Sequence, residues 1–194
     1  MTKSRTQIPA KTRDSVLKEF RHRCAMCGGE APQLHHIDEK PNNNEPSNLL
    51  PLCPNCHLRD QHDPTASIEI EKLKLFRKFK DPTILKTQFH PLFKRMKFLY
   101  ELDSNSNFFY LSSKSNELIE FVASLKMGDF YTKRISALMD PPRHVYERYR
   151  TCEPDPGNEK FKEKRRQEYI EQLGKVRAAV EELIVELLRY QEWK

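Results

Sequence analysis

Residues 24–62 read CAMCGGEAPQLHHIDEKPNNNEPSNLLPLCPNCHLRDQH, and the reading of the whole chain turns on them. Two Cys-x-x-Cys pairs, Cys24/Cys27 and Cys53/Cys56, bracket the dipeptide His35-His36. Asn48 precedes the second pair, and His57 follows its last cysteine directly. The pairs lie 25 residues apart. Four thiolates in that pattern match a tetrahedral zinc site, which is structural because four sulfurs leave no position for water. A redox dithiol would explain one pair and leave the other without a role. A two-cysteine, two-histidine finger through His57 and His62 would likewise strand one pair and ignore His35-His36.

Local structure follows from the same residues. Gly28-Gly29 permits the tight turn of a cysteine knuckle, since glycine tolerates positive φ. Gln33 to Ile37 and Leu49 to Leu52 read as short strands, joined by the loop-forming run KPNNNEPS. Pro54 opens a helix through about Gln61, because proline suits a first helical turn. The unit therefore reads ββα. Its apolar residues are few: Leu34, Ile37, Leu49, Leu50, Leu52 and Leu58. A core of that size below about 40 residues needs a metal or a disulfide, and structural zinc supplies on the order of 10 kcal/mol or more.

Composition bounds the rest. The chain has 194 residues, 37% hydrophobic and 32% charged, with no long apolar run that would span a membrane. The N-terminus MTKSRTQIPAK lacks the apolar segment of a secretory signal. Paired cysteines in a cytoplasmic, reducing setting favour metal over disulfides, and Cys152 is left as a plain thiol. The net charge of +6 suits a polyanionic partner only weakly. Most of the excess lies late: residues 1–65 hold nine Lys/Arg against eight Asp/Glu, the remainder 25 against 20.

The expected class is α+β, with the ββα, four-cysteine module over 1–65 and a mainly helical region over 66–194. Lys11 to Arg23 reads as a helix with Val16, Leu17 and Phe20 on one side. Its charges are either a solvated face or phosphate contacts. Asp63-Pro64-Thr65 ends the module. Helices are expected over Ser67–Lys80, Pro91–Leu102, Asn116–Met127, Asp129–Met139 and His144–Arg150, with Pro154 to Gly157 as a linker. Phe108 to Leu111 reads as a short strand or buried loop. The stretches KLKLFRKFK and HPLFKRMKFLY interleave basic and aromatic residues, which suits either nucleic acid or an ordinary core. Asn158 to Trp193 reads as one long helix. Its residues Tyr169, Leu173, Val176, Val180, Leu183, Leu187 and Tyr190 step by four and three, an a/d seam. The seam either docks on the preceding helices or makes a dimer or partner contact.

The spacing of His35-His36, Asn48 and His57, nine residues on from Asn48, together with the cysteine pairs and the phrase NLLPLCPNCH, resembles the HNH endonucleases. These are ββα-metal enzymes, here in the zinc-knuckle, four-cysteine subtype. The resemblance covers about 40 residues. It implies that His36 is the general base, that His35 and His57 hold one catalytic Mg2+ or Mn2+, and that Asn48 hydrogen-bonds loop backbone and orients His36. Zn2+ on the four cysteines is then purely structural. Some members carry a further metal histidine four residues after the helix histidine; Gln61 stands there, so His62, water or Asp60 completes the sphere. Asp38 reads as a loop residue. The module is also similar to the nuclease domains of bacterial antiphage effectors and restriction enzymes. That likeness implies DNA as the substrate, and a homo-oligomer or regulatory protein partner acting through the C-terminal helix. Two other readings are a zinc-supported nucleic-acid-binding module without catalysis and a structural adaptor using the seam.

Overall fold

The computed structural model describes residues 7–61, 69–103, 107–141 and 156–191. His62, the Asp63–Thr65 terminator, Cys152 and the expected His144–Arg150 helix lie outside the described residues, as do Pro154 and Asp155 of the expected linker, whereas Pro156 and Gly157 begin the C-terminal helix instead. The class is α+β, mostly helical, with one two-stranded sheet and a long C-terminal helix. The chain divides into two compact units, Met1–Thr87 and Gln88–Lys194. Among the described residues no helix is long and apolar enough to cross a membrane.

The first unit begins with α1 (Ala10–Glu19). This helix stops short of the expected Arg23, because Arg21 and His22 both take positive φ, 54° and 55°, and turn the chain back. Strands β1 (Gln33–His36) and β2 (Leu49–Leu52) pair antiparallel, with His35 opposite Leu50 and His36 opposite Leu49. All four residues of β2 are buried, with α1 packed against the strand. After Pro54 the chain is helical as expected, but from Cys56 to Gln61 it winds as a π-helix. Leu58, expected in the core, is 66% exposed on this turn.

Helix α2 (Ile70–Phe79) belongs to the same unit, so the compact body runs to Thr87 rather than ending near Thr65. The reason is packing. Phe76 lies against Phe20 at 6.3 Å between ring centroids, and Leu73, Leu75 and Phe76 are buried. The Arg77 guanidinium crosses the Phe20 ring at 5.2 Å, donates to the Pro46 carbonyl at 3.1 Å, and pairs with Glu19 at 2.6 Å. Lys80 also pairs with Glu19. The hydrogen bond from Arg77, joined by Lys80, holds the Glu19 carboxyl down at about 2 against the opposing effect of burial. A left-handed Lys80, φ 53°, ends α2.

The second unit contains α3 (His90–Met96) with a 3₁₀ turn (Lys97–Leu99), α4 (Phe108–Ala123), α5 (Gly128–Met139) and α6 (Pro156–Arg189). Phe108 to Leu111 is helical, not strand or loop. The Asn107 side chain caps α4 by accepting from the Phe109 and Tyr110 amides at 2.8 and 3.3 Å. The turn between α4 and α5 is tight enough that a Cβ on Gly128 would lie 2.3 Å from the Val122 carbonyl oxygen. The α6 seam docks within the chain. Tyr169, Leu173, Val180 and Leu187 are buried, and the Tyr169 hydroxyl meets Ser115 Oγ and the Met139 carbonyl, each at 2.9 Å. Gln172 donates to the Leu138 carbonyl at 2.8 Å, and Gln191 to the Lys126 carbonyl at 2.9 Å. Val176 and Leu183 are half-buried, and Tyr190 is exposed.

Candidate functional site

The two Cys-x-x-Cys knuckles meet behind the hairpin. The first is tied by Gly28 N–H to the Cys24 carbonyl at 2.9 Å and by Cys24 N–H to the Gly29 carbonyl at 2.8 Å. Ala25 N–H donates to the Pro51 carbonyl at 2.7 Å, which fastens this knuckle to β2. Gly28 adopts φ 71°, as the turn requires. Gly29 passes so close to the cluster that an added Cβ would stand 3.2 Å from Cys27 Sγ.

The four Sγ atoms of Cys24, Cys27, Cys53 and Cys56 all lie within 4.8 Å of one another, with Cys27 and Cys53 at 3.6 Å. A disulfide needs about 2.05 Å. A tetrahedral zinc with Zn–S bonds of about 2.3 Å places its sulfurs about 3.8 Å apart. The donor set therefore fits a structural metal such as zinc. The acidities agree. The Cys56 amide hydrogen bond, opposed by burial, pulls the Cys53 thiol down to about 7. Burial and the neighbouring sulfurs push Cys56 well up. Cys27 is also raised: the Gly29 amide pulls it down, but burial and the sulfurs of Cys24 and Cys53 outweigh that pull. Cys27, Cys53 and Cys56 compete for ionisation, and a shared cation favours their thiolate forms.

The clip positions the histidines. His57 N–H donates to the Cys53 carbonyl at 2.9 Å, so the second knuckle sets where the His57 ring stands. That ring meets His35 edge to face, 5.2 Å between centroids and 68° between planes. His35, His36 and His57 all line one cavity of about 630 Å³, with Arg13 of α1 and Glu39 and Pro41 of the hairpin loop. His35 is almost fully buried at 4% exposure, and His36 is half-buried. Strand alternation would send adjacent side chains to opposite faces. Here β1 ends at His36, and both residues line the same cavity. Of the cations in the segment 11–23, Arg13 lines this cavity, while Lys11, Lys18 and Arg21 are exposed and outside its lining.

Asn48 is buried and braces the loop. Its Oδ1 accepts from the Asp38 amide at 3.0 Å, and its Nδ2 donates to the Asn43 carbonyl at 2.9 Å and to Asp38 Oδ1 at 2.8 Å. The expected bond to loop backbone is present on both sides of the loop. The direct partner of His36 is a different residue: Asn44 Oδ1 lies 3.1 Å from His36 Nε2. An amide oxygen only accepts, so Nε2 carries the proton and Nδ1 is left with the lone pair. The run Asn42-Asn43-Asn44 was a sequence signal for this role, masked by reading the segment as loop composition. Asp38 is more than a loop residue. It also accepts from Asn43 Nδ2 at 2.7 Å and from the Lys40 amide at 3.0 Å. Burial would raise its carboxyl, but these bonds and the one from Asn48 outweigh it and hold the group at about 2.

The structure thus brings His35, His36 and His57 together and sets Asn48 behind them. His62 lies outside the described residues, as do the side chains of Asp60 and Gln61. Among the described residues the four cysteines are the group of three or more close potential ligands, and the histidine pair His35/His57 supplies two more donors nearby. No family model, no curated protein and no solved structure matches this chain.

Proposed function

We propose that this chain is a metal-dependent endonuclease of the HNH kind that hydrolyses DNA phosphodiester bonds. The observation that carries the reading is one cavity lined by His35, His36 and His57, beside a four-cysteine cluster that anchors the His57 backbone. The cysteines hold a structural Zn2+. His35 and His57 hold a catalytic Mg2+ or Mn2+, with water, the substrate phosphate or His62 completing its ligands. That ion supplies Lewis-acid stabilisation of the phosphate and of the leaving 3′-oxygen.

The protein's own part is proton handling and orientation. His36 presents Nδ1 to a water molecule, because Asn44 fixes the proton on Nε2. Nδ1 takes the proton as the water oxygen attacks phosphorus. The bond to the 3′-oxygen breaks, and that oxygen takes a proton from solvent water, leaving a 5′-phosphate and a 3′-hydroxyl. Asn48 and Asp38 keep the loop, and through it Asn44, in place. Arg13 in the cavity wall offers a cation to the substrate phosphate. By analogy with antiphage and restriction nucleases, the enzyme acts in the bacterial cytoplasm and is controlled by its helical region or by a partner.

Supercoiled-plasmid cleavage with and without Mg2+ and Mn2+, on wild type and His36→Ala in parallel, tests the reading. Metal-dependent nicking that disappears in the variant is expected. Duplex binding without cleavage under any metal or partner condition would favour a zinc-supported nucleic-acid-binding module instead.

A further inference from the structure

A second cavity, of about 850 Å³, opens on the same unit. Five cations line it, Lys40, Lys74, Arg77, Lys78 and Lys80, against two carboxylates, Glu19 and Asp38. Both carboxylates are already engaged: Glu19 by Arg77 and Lys80, Asp38 by the amides of its own loop. Arg77 is likewise spent on Glu19 and the Pro46 carbonyl, with its side chain only 9% exposed. Five cations against two carboxylates leave the lining with a net charge of +3, and Lys40, Lys74 and Lys78 are its exposed cations outside the Glu19 pair, with Lys78 Nζ over the Phe79 ring at 4.6 Å. Lys74 and Lys78 stand one turn apart on α2, with Cβ atoms about 5–6 Å from each other. Like charges at that spacing repel one another along the helix face. An anionic ligand would turn that repulsion into binding.

The groove and the histidine cavity share one loop. Asp38 and Lys40 line the groove, while Glu39 and Pro41 line the histidine cavity. Alternate residues of this short segment thus face the two openings. A strand whose scissile phosphate entered the histidine cavity would find the groove's lysines on the other side of the loop.

We propose that the groove between α2 and the hairpin loop is a second nucleic-acid contact, with Lys74 and Lys78 taking backbone phosphates flanking the cleavage site. This rests on the nuclease reading and adds a binding surface to it. Lysine ammonium groups act as point charges, so the contact recognises the phosphate backbone and not a base sequence.

The test is binding of a fluorescein-labelled 30-base-pair duplex to the full chain. It is run in a His36→Ala background without added divalent ion, from 50 to 300 mM NaCl. Each lost phosphate contact lowers the slope of log K against log salt by about 0.9, so Lys74→Gln/Lys78→Gln should lower it by about 1.8. The same slope corresponds to a weakening of about 60-fold at 0.1 M salt relative to wild type. Lys133→Gln/Lys164→Gln removes the same charge from the second unit and should leave the slope unchanged. Lys74→Arg/Lys78→Arg should retain the wild-type slope, which separates loss of charge from damage to α2. Equal slopes in the two glutamine pairs would overturn the groove while leaving the nuclease reading to the plasmid assay. A duplex that binds none of the proteins at 50 mM NaCl would also overturn it, whatever that assay shows.

Discussion

Replacing Cys53 by serine removes one of four sulfurs from a cluster whose atoms all lie within 4.8 Å of each other. Structural zinc contributes about 10–16 kcal/mol apparent free energy at neutral pH, so one thiolate of four is worth roughly 3–4 kcal/mol. At about 1.4 kcal/mol per decade, zinc affinity should fall by roughly two to three orders of magnitude. The loss falls on a small unit. A whole domain commonly has about 5–15 kcal/mol of stability, and the hairpin's buried apolar side chains are Ile37, Leu49, Leu50 and Leu52. Competition against a chromophoric chelator gives the affinity, and circular dichroism in urea gives the stability. Wild type should bind one zinc per chain at this cluster. Cys53→Ser should lose it and unfold the first unit while α3 to α6 keep their helicity. Binding should also release protons, because the thiols of Cys27 and Cys56 are raised and must ionise. Log K should therefore rise by at least about two per pH unit between pH 6 and 7. A zinc affinity independent of pH, or an unchanged urea midpoint in Cys53→Ser, would refute a metal-held cluster.

Three further expectations follow from single residues. Lys72 is buried, donates to the Lys86 carbonyl at 3.1 Å, and has its ammonium pushed down from 10.5 to about 8 by burial, with Glu69 pulling the other way. The unfolded chain binds the extra proton between those values, so stability rises with pH across that window and the full cost, at most about 3 kcal/mol before solvent screening, is present below pH 8. Lys72→Met removes that cost but takes a donor from a carbonyl, worth about 1 kcal/mol; it should stabilise the first unit by about 1–2 kcal/mol at pH 7 and lose the advantage by about pH 10.5, whereas a pH-independent difference in urea midpoint would contradict the burial argument. Gly174 lies exposed in α6, and a Cβ there meets nothing within 4 Å. Gly174→Ala should raise the stability of the second unit by about 0.8–1 kcal/mol, read as a higher thermal midpoint; a lower one would mean that the position needs glycine. Asn44→Ala frees the His36 tautomer and should slow cleavage by roughly tenfold or more while reshaping its pH–rate profile. An unaltered rate and profile would remove Asn44 from the site.

The four clustered cysteines and the histidines of the candidate site were legible in the sequence because their constraints are local. A Cys-x-x-Cys knuckle needs only a turn with the right glycines, and Gly28 and Gly29 supplied it. The short, apolar-flanked, β-like segment Gln33 to Ile37, followed by a turn-forming run, placed His35 and His36 on β1. Asn48 was singled out only by the resemblance to the HNH pattern, and the structure shows it bracing the hairpin loop. Contacts between distant segments were not legible, because many apolar or basic residues satisfy the same pattern equally well. KLKLFRKFK suited a core or a nucleic-acid surface, and it serves the first directly: Leu73, Leu75 and Phe76 are buried, while Lys74 and Lys78 face the groove. The a/d seam of α6 suited a partner or its own chain until Tyr169 was seen bonded to Ser115 and Met139. Asn44 could be told from Asn42 and Asn43 only by which amide reached His36 across the loop. Spacing along the chain determined which side chains are present and how each short turn is made. Packing between α1, the hairpin and α2 decided which of them share a cavity, since burial rewards any well-fitting partner and covalent sequence does not name it.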